Sequence, residues 1–399
     1  MIVLEGAHVL TMHPGDVAAW QDTDLAVSDE RLVAPAAGAG APGAVRHDLA
    51  GRYIVPGLID MHCHLTNSAG TVEATLAQSI PERSMRAARN AAVTLASGVT
   101  TCRDPGGVGH VDIALRDAIA QGLVEGPTLR IAGRAIAMTG GHGWFLGVEG
   151  DGPEEIRKLA RTQIKAGADW IKLMASGGFA DPHEDPQAVQ LDRDEMAAGV
   201  GEAHKAGRKA AAHAHPAQAM RNAILAGVDT VEHASFPDGE CIDLLLERRV
   251  AICPTFTIYH HMKERGPEFG LPAAVGDVTR RLWDRKVECF RRCLEAGVRV
   301  VAGTDSGSPG GHHGDLATEL ELLVRFGMTP YEALRAATHE AATVLGMEAE
   351  VGSLAAGKRA DLVVLEGDPL RDPGALRRPL AVMKDGRFVA GDPGPGRSR

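Results

Sequence analysis

The 399-residue sequence has no block of lysines and arginines, no Cys-x-x-Cys pair, and no apolar run approaching the roughly 18 residues of a membrane span. Each absence removes a class of function. Without a basic cluster, and with a net charge of −10, neither nucleic acid nor an anionic membrane surface is an expected partner. The opening Met1-Ile-Val-Leu-Glu-Gly6 lacks the basic, apolar and small-residue succession of a signal peptide. Cys63, Cys102, Cys241, Cys253, Cys289 and Cys293 show no redox spacing, and a chain of this length needs no disulfide framework. Reduced thiols in a cytoplasmic protein are the expectation. What remains is ordinary globular stock, 44% hydrophobic and 24% charged, enough to bury a large core.

The pattern along the chain changes twice. Residues 2–4, 8–12 and 23–27 read as short strands, followed by a loose Ala/Gly/Pro run at 34–44. Strand signals return at 360–365 and 380–389, where Lys384-Asp385-Gly386 supplies a hairpin turn. Between these ends, apolar strands at 53–59, 99–103, 129–136, 170–174, 209–213, 230–233, 250–254 and 298–304 alternate with amphipathic helices. Four of the helices run into Ala-Gly, at Gly167, Gly207, Gly227 and Gly297, where a helix would stop before the next strand. Eight strand–helix units suggest an α/β fold, a (β/α)8 TIM barrel, with a small β-sandwich domain built from both chain termini. The expected division is 1–54 and 351–390 for the sandwich, 55–350 for the barrel, and a flexible tail at 391–399.

The polar residues at the strand ends carry the chemistry. Strand one ends in Asp60-Met-His62-Cys63-His64, and residues two apart on an extended chain share a face. His62 and His64 therefore aim the same way while Cys63 points away, a packing residue. Alone, such a pair more often means surface histidines near a turn than a metal site. Lys172 lies inside Trp170-Ile-Lys-Leu-Met174, a strand that should be buried, where an unpaired ammonium is costly. Desolvation favours the neutral amine, which reacts with carbon dioxide to give a two-oxygen anionic ligand. Strand five ends in His213-Ala-His215, strand six in Glu232-His233 and strand eight in Thr304-Asp305-Ser306. Each could be a core histidine or a helix cap. Together, at strands one, four, five, six and eight, they suggest a metal site at the carboxyl end of a barrel.

These segments resemble the amidohydrolase superfamily, and within it the imidazolonepropionase-like members that include metal-dependent Xaa-Pro dipeptidases. The resemblance rests on Val55-Pro-Gly-Leu-Ile-Asp-Met-His-Cys-His64, Lys172-Leu-Met-Ala-Ser-Gly-Gly178, Ala212-His-Ala-His215, Val231-Glu-His233, Ala302-Gly-Thr-Asp-Ser306 and Gly357-Lys-Arg-Ala-Asp-Leu-Val-Val-Leu365. It implies a site for two divalent metal ions, with zinc the best match to a His/carboxylate set. His62, His64 and Asp305 would hold the more buried ion, His213 and His233 the more exposed one, and carboxylated Lys172 would bridge them. Paired cations acidify a shared water, and Asp305 would serve as general base and then as general acid toward the leaving amine. Deaminating relatives carry a glutamate shuttle after strand five. Here Ala214, His215 and Pro216 stand there, which demotes deamination.

The substrate is less well marked. His142, within Thr139-Gly-Gly-His-Gly143, sits where backbone can approach a ligand closely. Tyr259 resembles a tyrosine that dipeptidase relatives turn toward the substrate carboxylate, and plain packing explains it equally well. His215 is placed on the substrate side because it shares a face with His213. A cationic loop at 260–265 would attract an anionic substrate, and a second loop at 180–191 would form part of the mouth. The expected activity is hydrolysis of an amide in a small molecule, a dipeptide or N-acyl amino acid, by a homo-oligomer. A cyclic-amide hydrolase, an esterase or xenobiotic amide hydrolase, and a non-catalytic metal-binding scaffold are the alternatives.

Overall fold

In the computed structural model, which describes residues 1–181, 183–394 and 397–398, Trp170–Met174 lies within a six-stranded parallel sheet. The strand order is Val148–Glu149, Ile136–Ala137, Trp170–Met174, Lys209–Pro216, Thr230–Phe236 and Ala251–Cys253. Alternation explains how the central strand is used. Leu173 packs toward Gly199 of the helix Arg193–Lys205, whereas Trp170 lies under the Arg103 guanidinium and Met174 lines the main cavity. Lys172 shares the face of Trp170 and Met174. Parallel pairing then sets Lys172 opposite Ala211 and Met174 opposite His213 on one side, and His213 opposite Glu232 on the next. These strands belong to a unit comprising residues 61–91 and 102–313.

The junction glycines behave as the sequence suggests. Gly167, Gly207, Gly227 and Gly297 all have positive φ, and Gly167 closes its helix by donating to Gln163 O and Ile164 O.

The second unit comprises residues 1–60, 92–101 and 314–399. One sheet runs Arg397–Ser398, Val45–Asp48, Ile2–Glu5, Leu25–Ser28, Arg31–Val33. The other runs Arg387–Gly391, Ala381–Lys384, Leu362–Leu365, Tyr53–Pro56, His8–Val9, Gln21–Asp22. Both contribute to one buried cluster that includes Leu4, Val27, Ile54, Leu362, Val364 and Met383. The returning chain therefore pairs with the start of the sequence, Leu362 against Pro56 and Leu365 against Tyr53. Asp385 and Gly386, both at positive φ, make the hairpin turn. Of the expected flexible tail, Arg397–Ser398 pairs with Val45 and Arg46, while residues 395, 396 and 399 lie outside the described residues.

Several local expectations are corrected. The run at 34–44 contains a short helix, Pro35–Ala39, with proline in its first turn. The strand expected at 129–136 is split into Thr128–Ile131 and Ile136–Ala137. The strand expected at 298–304 is reduced to isolated bridges, Val300 with Ile252 and Ser306 with Cys63. Its peptide groups still serve both neighbours, since Met61 N donates to Ala302 O and Val301 N to Ile252 O. The cationic loop at 260–265 is instead part of the helix Phe256–Arg265. Phe256, Tyr259 and Met262 recur every third residue on its buried side, a helical spacing masked in sequence by the charges that follow. Lys263 and Arg265 pair with Glu264 and Glu268.

Strand one breaks at Gly57, between Tyr53–Pro56 and Leu58–Asp60. A Cβ there would stand 2.2 Å from Thr100 Oγ1 and 2.7 Å from its Cγ2. Threonine is stiff at χ1 and cannot swing clear. Gly57→Ala should destabilise the fold by about 1–3 kcal/mol; a thermal midpoint equal to wild type would contradict this.

Candidate metal centre

The centre is built on departures from regular strand geometry. Simple alternation would send Glu232 and His233 to opposite faces, yet both serve the same site. His233 and Ala234 have φ of 69° and 39°, a left-handed turn that brings His233 round to the cavity after Glu232 has already pointed inward. Asp305 and Thr255 are likewise left-handed, at 58° and 50°. For non-glycine residues such backbone is costly, and its concentration at one site is typical of functional centres.

Three of the expected ligands converge. His62 Nε2 lies 3.6 Å and His64 Nε2 3.3 Å from Asp305 Oδ1, and the ligand atoms of the three lie within 4.8 Å of one another. The other ring nitrogen of each histidine is tied back. His62 Nδ1 is 2.8 Å from Glu232 Oε2 and His64 Nδ1 is 2.9 Å from Gly106 O. Asp305 Oδ1 also accepts from Ser308 Oγ, and its backbone N–H donates to His62 O. Carbonyl or carboxylate on one nitrogen leaves the other pointing at the cation position, the usual arrangement behind metal-bound imidazoles.

His213 and His233 stand beside this group, ring centroids 4.5 Å apart, with His233 5.1 Å from His62. His233 Nδ1 is 2.7 Å from Thr255 Oγ1, and His213 Nε2 is 3.1 Å from Gly177 O. His62, His64, Lys172, His213, His233 and Asp305 all line one cavity, together with His142 and Tyr259. His215 is the exception. It is fully buried and lines no part of that cavity, lying behind it with Nδ1 on Ser235 Oγ and Nε2 3.5 Å from Tyr259 Oη.

Burial sets the charge state. Desolvation holds His62 down to a pKa of about 4 and pushes His213, His215 and His233 well below 6.5. His64 moves the other way, because the Asp305 carboxylate outweighs the burial that opposes it. Asp305 stays ionised, its burial more than offset by His62 and His64. Lys172 is 2% exposed, and burial draws its amine down to about 8 against a weaker upward pull from Glu232. Neutral imidazoles, a carboxylate and an amine that deprotonates near neutrality suit divalent cations in chemistry and in placement.

Four residues that support this site were given no role by the sequence reading. Glu232 has no exposed side-chain surface and joins Arg103 Nη2 at 2.6 Å to His62. Arg103, equally buried, also donates to Met61 O and Thr230 Oγ1. Arg103 was findable as Lys172 was, as a charge inside a buried strand; Glu232 was not, because alternation places it opposite His233. Glu184, from the 180–191 loop, lies 2.6 Å from His142 Nδ1. Lys286, on the helix Ala273–Ala296, looks in sequence like one more cation beside Arg285.

Two outcomes follow from this arrangement. Glu232→Gln should weaken zinc affinity about 10–100-fold in chelator competition, because His62 loses its orienting carboxylate; unchanged affinity would contradict that role. The pH dependence of the metal-free protein is also determined. Unfolding returns His62, His213, His215 and His233 to about 6.5, so below that pH the unfolded chain binds protons that the folded one does not. The part of the stability that these four histidines contribute is then full above 6.5 and is lost as pH falls toward 4, with the raised His64 and the buried carboxyls Asp104, Asp112 and Asp361 opposing. Thermal midpoints of chelator-treated protein should drop between pH 7 and pH 5; a flat profile would contradict the neutral cluster.

Comparison with known proteins agrees with this chemistry. A profile of the amidohydrolase family matches residues 53–389. Ochratoxinase of Aspergillus niger is 30% identical over 420 residues, covering 96% of this chain and 86% of that protein. Imidazolonepropionase of Sphingopyxis alaskensis is 26% identical over 401 residues, 91% of each. A prolidase structure complexed with N-methylphosphonate-L-proline superposes with a TM-score of 0.90 at 30% identity, covering 98% of this chain and 100% of that one. Neighbours of this family imply a TIM-barrel-like α/β fold. The chain belongs to the amidohydrolase family and is a metal-dependent hydrolase acting on carbon–nitrogen bonds.

Proposed function

We propose that the protein is a binuclear amidohydrolase that cleaves the amide bond of a dipeptide or N-acyl amino acid with a free carboxylate. The observation that carries the binuclear reading is Lys172: a buried amine drawn down to about 8, in one cavity with His62, His64, Asp305, His213 and His233. Leaving it as an ammonium there is costly, whereas a carbamate on Nζ supplies two oxygens to two cations. On this reading His62, His64 and Asp305 would hold one zinc ion and His213 and His233 the other, and carboxylated Lys172 would serve both.

Bound divalent cations supply an acidified water and a polarised carbonyl. The chain does the rest. Asp305 is ionised at neutral pH and accepts the water's proton on a carboxylate oxygen, then returns it to the leaving amine nitrogen. Ser308, 2.6 Å from Asp305 Oδ1, holds that carboxylate in place. His142, oriented by Glu184, and Tyr259 line the cavity from the substrate side, with His215 behind them. Support for a carboxylate-bearing substrate comes from the prolidase neighbour's N-methylphosphonate-L-proline ligand.

The same reading closes residues 55–350 as a (β/α)8 barrel and joins 1–54 with 351–390 as a β-sandwich. It takes the protein as a cytoplasmic homo-oligomer whose partner is a small molecule.

The substrate class is tested by screening dipeptides and N-acyl amino acids with zinc-loaded protein; turnover confined to lactams or esters would sink it. Asp305→Asn should lower kcat by about 10²–10⁴-fold, and a wild-type rate with metal bound would remove the proton-transfer role. Carbamate formation needs the free amine and carbon dioxide, so at a fixed dissolved carbon dioxide concentration zinc reactivation of stripped protein should be faster at pH 9 than at pH 7. Equal rates would contradict a titrating Lys172.

A further inference from the structure

A free dipeptide carries an α-ammonium on the acyl side of its amide bond, and an N-acyl amino acid does not. Taken out of water, an ammonium needs oxygen acceptors for its three N–H donors. Lys286, 3% exposed and outside the cavity's lining, shows how this fold provides for one. Its Nζ donates to His233 O at 2.8 Å, to Pro254 O at 2.9 Å and to Ser235 Oγ at 3.0 Å. The cavity offers an incoming ammonium much less. Among the described residues lining it, side-chain oxygens belong only to Asp305, Ser308 and Tyr259. Asp305, the one carboxylate, faces His62 and His64 and accepts from Ser308 Oγ, so it stands inside the ligand group. The acids of the 180–191 loop lie outside the lining and have local partners. Glu184 Oε2 accepts from Gly178 N and meets His142 Nδ1, Asp181 accepts from His183 N, and Asp185 accepts from Gln187 N.

What the cavity does offer is apolar, on two separate clusters. Met174 belongs to one with Ala135 and Ala137, and its methyl group lies where a Cβ on Gly143 would come within 2.8 Å. Phe179 and Met262 belong to the other, with the Phe179 ring 5.0 Å from that of Tyr259. Phe145 and Leu146 extend the apolar lining, and the same loop carries it to the surface. Trp144, between the lining residues Gly143 and Phe145, is 42% exposed. The charges of the helix Phe256–Arg265 do not alter this, because Met262 lines the cavity while Lys263 lies 4.5 Å from the Trp283 ring and pairs with Glu264. We infer, resting on the hydrolase function proposed above, that the substrate is blocked at its amino end: an N-acyl amino acid whose apolar acyl group lies against these walls, and not a free dipeptide. An apolar group in place of the α-ammonium turns a desolvation cost into apolar burial. Trp144 is then a specificity-determining residue at the rim, met by acyl chains that outgrow the cavity.

Paired compounds of one shape test this on zinc-loaded protein. L-alanyl-L-leucine and N-isobutyryl-L-leucine differ only in an ammonium exchanged for a methyl group. The N-acyl compound should be hydrolysed with a kcat/KM about 100-fold higher. Equal values, or a preference for the dipeptide, would overturn the proposal. Calorimetry with hydroxamates gives a reading that needs no turnover. Butanohydroxamic acid should bind about tenfold tighter than its isostere β-alanine hydroxamate, and equal or reversed affinities would overturn the apolar acyl end. If neither leucine derivative is hydrolysed while the hydroxamates keep this order, the amide substrate proposed above fails and the selection against an ammonium stands. Trp144→Ser should lower kcat/KM for N-octanoyl-L-leucine about tenfold and leave that for N-isobutyryl-L-leucine within about twofold. Equal effects on the two would overturn the role of Trp144.

Discussion

Glu232 holds a negative charge with no contact to solvent, and the site depends on how that charge is shared. One oxygen meets the Arg103 guanidinium and the other the His62 ring. Neither Arg103 nor Glu232 would be tolerable alone; removing one partner of such a pair costs about 3–5 kcal/mol. Together they hold Glu232 ionised, well below the usual carboxylate range despite burial. A strong acceptor on Nδ1 then keeps His62 oriented with Nε2 toward Asp305. Met61, whose carbonyl takes the third arm of Arg103, precedes His62, so the same cation also ties down the strand end that carries the ligands.

Around this pair the cavity is poor in charge for its number of titratable groups. Desolvation strips protons from His62, His213 and His233 and lowers Lys172 toward neutrality. Cations are therefore the missing charge rather than an addition to it. They would be bound by ligands already deprotonated at neutral pH, which lowers the proton cost of binding. The left-handed backbone at His233, Thr255 and Asp305 is the steric cost of crowding these groups onto neighbouring strand ends.

Much of this was legible in the residues, unevenly. Trp170–Met174 reads as a strand because apolar residues flank Lys172, and the same flanking marks the lysine as unusual. The Ala-Gly junctions announced the helix ends because only glycine turns left-handed without strain. The membership of the family was visible in the motifs at strands one, four, five, six and eight. What failed to show depended on positions far apart in sequence or on irregular backbone. Glu232 was hidden by a positive φ that no pattern reveals, and Lys286 by its resemblance to the surface cations around it. Tyr259 stands just before the stretch read as a loop at 260–265, whereas one helix spans both and buries it every third residue with Phe256 and Met262. Its contact with His215 joins residues 44 apart, beyond any local pattern.

The central claim is that one buried cavity holds two cations bridged by a modified Lys172. Anomalous diffraction from crystals grown with zinc tests it most directly. The account predicts two anomalous peaks per chain, one among His62, His64 and Asp305 and one beside His213 and His233, with carbamate density on Lys172 Nζ between them. A single peak with an unmodified amine on Lys172, or zinc bound away from these residues, would contradict it.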